Sequence, residues 1–261
     1  MRASANAKYS IDRITNGIDL LVVKKSSHSF PPHNHEDSYT LSLMVEGESY
    51  CFCGNDKEKI VKSKEVVLIN PGQVHSGKPL NNMEISYITL FIKKKLISEL
   101  FGTRTPVFNK VVISSHNLYK KITDISELIL GNNHSVDDVK DFVKYIFSQN
   151  YIDFKEEKAL EGQRIISAKD LLTSNLNTKI SLTEISELLG INRSHFIRIF
   201  KKRTGLTPHA YRNQKRIEFA KDLLKQNKPI IDIAYKTGFS DQSHLNRRFK
   251  QFTGFTPNQL H

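Results

Sequence analysis

The sequence is short of three things, and each shortage narrows what the protein can be. Cysteine is the first: 261 residues hold two, Cys51 and Cys53. With no second pair, they cannot form the disulfide framework of a small secreted scaffold. At i and i+2 on a strand their side chains share a face without favourable disulfide geometry, so we read them as reduced thiols in a core, a metal or redox role being the alternative. Long apolar runs are the second shortage. No stretch approaches the ~18 apolar residues of a spanning helix, and "MRASANAKYSID" has no apolar segment of the signal-peptide kind. The expectation is a soluble, cytoplasmic, nucleoid-associated protein with no membrane partner. The third shortage is acid, and it is local. From Glu161 to His261 there are 18 Lys+Arg against 8 Asp+Glu, a net of +10, whereas the first 160 residues carry a net of only +2. A basic domain attached to a near-neutral one calls for a polyanionic partner, most simply nucleic acid.

The basic half repeats itself. "SHFIRIFKKRTGLTP" from Ser194 and "SHLNRRFKQFTGFTP" from Ser243 agree at nine of fifteen positions. The repeat extends upstream, "SLTEISELLGINR" facing "PIIDIAYKTGFSD". Each copy opens with a short apolar-faced helix, is broken at Gly190 or Gly238, and continues into a second helix. Helix, glycine turn, helix is the helix-turn-helix plan, whose second helix enters the major groove. We place the two motifs at 181–205 and 229–254. Core positions of the second helices are Phe196, Ile199 and Phe200 in one copy, and Leu245, Phe249 and Phe252 in the other. Helical spacing then directs Arg193, Ser194, Ile197, Arg198 and Lys201 toward DNA in the first copy. In the second it directs Gln242, Ser243, His244, Asn246, Arg247 and Lys250. An Arg at the same place in both copies suits guanine O6/N7, and Asn and Gln suit adenine. The Lys and Arg near the helix ends suit phosphates. Thr207-Pro208 and Thr256-Pro257 read as N-cap and N1 of the next helices. The glycine-free run from Pro208 to Gln226 reads as one long helix holding the two heads a groove repeat apart.

The first half changes period. Between Ile18 and Ile92, "IDLLVVKK", "YTLSLMVEG", "ESYCFCG", "KEVVLIN" and "EISYITLFI" are β-branched and aromatic runs separated by turn residues, which predicts a barrel or sandwich. Residues 118–130 and 135–152 carry apolar residues at helical spacing, and each stripe is a candidate dimer surface. A polar linker is expected within 153–163. The chemistry-bearing stretches are "FPPHNHEDSYTL" and "LINPGQVHSG": His33 and His35 alternate onto one face of a strand, where they could meet His75.

These stretches carry two resemblances. "HNH" with "GQVH" resembles the two sequence blocks of the cupin superfamily, whose metal-binding members hold a divalent ion with three His and a Glu. The carboxylate position falls here on Tyr39 or Thr40, and Glu36 points to the opposite face. Three His can suffice for zinc; in non-metal cupins these histidines pack inside the barrel mouth. We assign no metal or other cofactor and read His33, His35 and His75 as an effector site. The last hundred residues resemble the AraC family of bacterial transcription regulators, through "PIIDIAYKTGFSDQSHLNRRFKQFTGFTP" above all. The resemblance implies an all-β cupin-like barrel followed by α-helices over 1–155, then an all-α domain over 161–261 with two helix-turn-helix motifs joined by a long helix. It also implies a sequence-specific regulator, an activator rather than an enzyme. The partners it implies are promoter double-stranded DNA, RNA polymerase, a small-molecule effector and a second copy. The alternatives are a metal-dependent cupin enzyme and an architectural nucleic-acid binder without sequence preference. The different outward residues of the two copies, Ile197 against Asn246, speak against the latter.

Overall fold

The computed structural model describes residues 6–11, 15–53, 58–102, 104–149, 152–156, 163–226 and 228–259. The chain forms two compact units, Met1–Ser29 with Asn34–Lys158, and Ala159–His261 with the short segment Phe30–His33. Of the linker expected within 153–163, residues 157–162 lie outside the described residues.

The first 158 residues are β-rich. Strands β1 (Asn6–Ile11), β2 (Ile18–Ser26), β3 (Phe30–His33), β4 (Ser38–Glu46), β5 (Ser49–Cys53) and β6 (Lys59–Val61) come first. They are followed by β7 (Glu65–Ile69), β8 (His75–Pro79) and β9 (Ile85–Lys93). Helix α1 (Lys94–Phe101), strands β10 (Arg104–Phe108) and β11 (Val112–Ser114), helices α2 (His116–Leu130) and α3 (Val136–Phe147), and strand β12 (Ile152–Glu156) complete the unit. One sheet has six strands in the order β1-β2-β9-β4-β7-β11, a second has four in the order β3-β8-β5-β6, and β10 pairs with β12.

Strand alternation sorts the six-stranded sheet into two unlike faces. Tyr39, Leu41 and Leu43 of β4 and Leu90 and Ile92 of β9 join a core with Leu118, Ile122, Val139 and Ile146 of α2 and α3. The apolar stripes of the two helices are therefore consumed inside the unit, and the outward side of α2 is polar, with Lys120, Lys121, Asp124 and Glu127 exposed. The expectation that these stripes form a dimer contact loses its physical basis here. Helix α3 also ends at Phe147 rather than 152, Ile152–Glu156 being strand. Its start follows the sequence: Ser135 accepts from the Asp138 amide while the Asp138 carboxylate accepts from Ser135, a capping box.

The C-terminal unit is helical: α4 (Gln163–Thr173), α5 (Leu182–Leu188), α6 (Arg193–Thr204), α7 (Pro208–Lys225), α8 (Ile230–Lys236) and α9 (Gln242–Thr253). Side-chain caps set most of the starts: Ser181, Asn192, Thr207 and Asp241 each accept from the amide three residues on. The two second helices end identically. Gly205 and Gly254 adopt left-handed φ of 76° and 84°. Thr204 and Thr253 donate to the carbonyls of Phe200 and Phe249, and accept from the amides of Leu206 and Phe255. The duplication seen in the letters is thus a duplication of hydrogen bonds. Helix α7 belongs to both halves. Its Tyr211 meets Phe200 edge-on at 5.4 Å, while its Ile217, Leu223 and Leu224 lie in one core with Ile233, Leu245 and Phe249.

Candidate nucleic-acid interface and sensor site

The reading helices present what their cores leave over. On α6, Phe196 and Phe200 are buried and Arg193, Ser194, Arg198 and Lys201 are exposed. Lys202 and Arg203 extend the basic end, where cations also suit the negative end of the helix dipole. On α9, Leu245 and Phe249 are buried and Gln242, Ser243 and Arg247 are exposed. Four expected outward positions are less open. Ile197, His244, Asn246 and Lys250 are half-buried. Ile197, Asn246 and Lys250 each follow a buried core residue directly, and 100° of rotation per residue leaves them on the flank of the outward face rather than its crest. The amide oxygen of Asn246 is cut off from solvent and has no hydrogen-bond partner. Among core positions, Ile199 and Phe252 are half-buried rather than enclosed, for the same angular reason.

The histidines that open the two helices differ in their hydrogen bonds. Arg198 donates from Nη2 to His195 Nδ1 at 3.0 Å. His244 stands edge-on to Phe239 at 5.2 Å, its Nδ1 3.1 Å from the Ser240 hydroxyl. That hydroxyl donates to Asp241, so it accepts from His244. His244 is thereby held beside the turn rather than projected toward a groove. The His244 amide and the Ser240 hydroxyl hold the Asp241 carboxyl below its ordinary range.

Strand β3 ends at His33, and His35 lies in the loop beyond it. The strand alternation expected for the pair does not operate, yet a nitrogen of each of His33, His35 and His75 lies within 4.8 Å of the others. His33 Nδ1 donates to the Pro31 carbonyl at 2.8 Å and His75 Nδ1 to the Gln73 carbonyl at 3.1 Å. Both bonds leave the lone pair of the neutral ring on Nε2, the arrangement that backbone carbonyls impose on ligating imidazoles. Burial pushes His75 down to about 4, so its ring is neutral at physiological pH. His35 lies 5.3 Å from His75 and 5.0 Å from Phe91, ring centre to ring centre. Phe91 belongs to the second face of the six-stranded sheet, where polar groups stand among apolar ones such as Val67 and Ile69: Ser42 meets Thr89 at 2.9 Å, the Asp19 carboxylate pairs with Lys93 at 2.6 Å, and the buried Thr40 hydroxyl has no partner. The carboxylate position of metal-binding cupins is not filled. Tyr39 belongs to the helix-facing core and donates its hydroxyl to the Pro106 carbonyl at 2.8 Å. Cys53 stands opposite His75 in the strand register, 3.0 Å from Cys51 sulfur to sulfur, and both cysteines are buried. That neighbourhood was hidden from the sequence, because it depends on a pairing between strands 22 residues apart.

Comparison with known proteins agrees with this division. Residues 16–139 match the AraC-like ligand binding domain, and residues 185–261 match a helix-turn-helix domain. An uncharacterized HTH-type transcriptional regulator, YbfI of Bacillus subtilis, is 30% identical over 237 residues, 87% of this chain and 86% of its own. The multiple antibiotic resistance protein MarA of Escherichia coli is 36% identical over 96 residues, 36% of this chain and 76% of its own. The crystal structure of ToxT from Vibrio cholerae superposes with a TM-score of 0.61 at 20% identity, covering 93% of this chain and 96% of that one. With both halves and their order accounted for, the chain belongs to the AraC family of transcription regulators, proteins that bind DNA sequence-specifically.

Proposed function

We propose that the protein reads two successive major-groove segments of a promoter with α6 and α9, and that its N-terminal unit adjusts this binding in response to a small polar effector. One observation carries the first part. Arg198 and Arg247 occupy the same exposed position in two copies of one motif, on helices with identical ends. Helix α7, with 18 residues, spans about 27 Å between them, close to the ~34 Å separating successive major-groove faces. Arg198, Arg247, Ser194, Gln242 and Ser243 are the base readers. Arg193, Lys201, Lys202 and Arg203 contact phosphates, and the half-buried Lys250 lies at the edge of the phosphate contacts. Ile197 and Asn246 border the groove from the flanks.

The effector part rests on the three-histidine cluster and the polar groups on the sheet face beside it. ToxT has a structure with bound unsaturated fatty acid, which supports a small-molecule effector for the fold. The ion pair and hydroxyls here favour a polar ligand or a metal ion over a hydrocarbon chain. Bacterial relatives that are transcriptional regulators favour transcriptional control over catalysis, and with it cytoplasmic residence and contact with RNA polymerase. Any self-association uses surfaces other than the buried stripes of α2 and α3, and sedimentation of the full chain measures it. The decisive test is helical phase. Inserting about five base pairs between the two segments turns one to the far side of the duplex, about half a helical turn away. Joint binding should be lost, whereas about ten inserted base pairs should restore the facing but not the spacing. Tolerance of the five-base-pair insertion refutes two heads at fixed separation.

A further inference from the structure

The C-terminal unit contains a set of contacts that the base-reading surface does not use. Residues 174–178, the loop after α4, are tied through their carbonyls to two arginines one turn apart on α7. Arg212 is only 4% exposed. It donates to the Leu172 carbonyl and, at 2.7 Å each, to those of Asn175 and Thr178. No carboxylate balances the charge in these bonds; the unsatisfied carbonyls at the end of α4 do so instead. Arg216 donates from Nε to the Leu176 carbonyl at 2.9 Å and from Nη2 to that of Thr178 at 3.3 Å.

The same loop meets the turn of the second motif. A Cβ on Gly238 would lie 2.2 Å from the Leu176 carbonyl oxygen, 2.8 Å from Asn177 Cα and 2.8 Å from Arg216 Nη2. The Arg216 guanidinium also lies over the Phe239 ring, 5.9 Å from its centre. Gly190 holds the equivalent place in the first copy, with φ of +65° against +77°, but nothing lies within 4 Å of its Cβ position. Glycine at 190 is thus required for its backbone angle alone. At 238 it is required for the angle and for the close approach of another backbone.

A single helix between two heads leaves a joint at each end. A second contact, away from that helix, removes the remaining freedom. We infer that Arg216, with the 174–178 loop it holds and Gly238 against it, is a positioning brace that fixes the angle between the two reading heads and so sets the spacing of DNA segments the protein accepts. Arg212 anchors the loop, and Arg216 joins it to the second head. The inference rests on the two-headed reading above and adds to it that spacing is chosen by residues outside both reading helices.

The test begins with the full chain selecting its consensus from random duplexes. Binding of wild type and Arg216→Gln is then measured on that duplex, on duplexes with one base pair added or removed between segments, and on duplexes with either segment scrambled. Loss of rigidity lowers the effective concentration of the second head. We expect about tenfold weaker binding at the selected spacing, less than about twofold change on the single-segment duplexes, and a reduced penalty for altered spacing. Arg216→Lys keeps the charge but offers a point donor in place of a fork, and should lie between. Gly190→Ala and Gly238→Ala both bear the cost of a left-handed angle, but only the latter should erode the spacing preference. That glycine pair decides the matter if Arg216→Gln does not fold. Equal losses at all spacings and on single segments, or an unchanged spacing preference, overturn the brace while leaving two heads in place. Selection of an undivided site, or of none, overturns the two-headed reading and the brace with it.

Discussion

Salt is the most direct probe of the reading surface, and its effect can be worked from the structure. Six cations on α6 and α9 are exposed: Arg193, Arg198, Lys201, Lys202, Arg203 and Arg247. If all six neutralise phosphates, the slope of log K against log salt is about −5.4; if Arg198 and Arg247 spend their charge on bases, the remaining four give about −3.6. Between about 50 and 200 mM KCl, affinity should therefore fall by about 10²- to 10³-fold. Fluorescence anisotropy with the selected duplex reads this directly. Substitution separates the two kinds of cation. Lys202→Ala should make the slope shallower by about 0.9 and weaken every sequence alike. Arg198→Ala should cost about 1–3 kcal/mol and relax base preference in one segment, and Arg247→Ala should do the same in the other. A slope shallower than about −2 would mean that the basic excess is surface solvation and not a DNA contact. Loss of base preference on replacing Lys202, or uniform weakening on replacing either Arg, would reverse the assignment of roles.

Three further outcomes are expected. Replacing His33, His35 and His75 together by Ala should abolish the effector response while DNA affinity stays intact, and a zinc titration should show binding by wild type alone if the effector is an ion; unchanged regulation would move the sensor elsewhere. Burial favours the neutral form of His75, with its pKa at about 4 against an ordinary 6.5, so the fold's preference is fully present above pH 6.5 and is lost as pH falls through 4. The loss should approach about 3 kcal/mol, read as a falling urea midpoint that flattens in His75→Gln. Asp241→Ala removes the cap of α9 and should lower thermal stability by about 1 kcal/mol, whereas Asp241→Asn should cost little because an amide oxygen can still accept from the His244 amide; equal losses in the two variants would assign the effect to charge instead of capping.

Local features of the fold were legible in the residues. The caps at Ser135 and Thr207, the helix-ending glycines at 205 and 254, and the outward Arg198 and Arg247 all depend on neighbours within one or two turns; the caps at Ser181, Asn192 and Asp241 are equally local but were not read. What escaped depends on distant pairings. Helix α1, the β10–β12 pair and strand β8 have weak local signals: "HSGKP" carries no alternation and owes its extended form to β5 beside it. The stripes of α2 and α3 were visible, but not the sheet that covers them. Arg212 and Arg216 read as ordinary cations on a helix surface, since no sequence pattern announces that backbone carbonyls 34 to 40 residues upstream will receive them. The three histidines were legible as a set, although the strand geometry assumed for His33 and His35 was not what joins them.

Helix α7 has a consequence beyond holding two heads apart. Because Tyr211 packs into the first motif while Ile217, Leu223 and Leu224 complete the core of the second, neither motif owns a finished interior. Melting one would strip the shared helix of half its burial, so the two motifs should open as one cooperative unit. Amide protons along its buried face would then exchange at a common rate, set by the opening of both motifs. A species with one motif folded and the other unravelled would be too rare to bind half an operator, and proteolysis of the opened state would remove both recognition helices together.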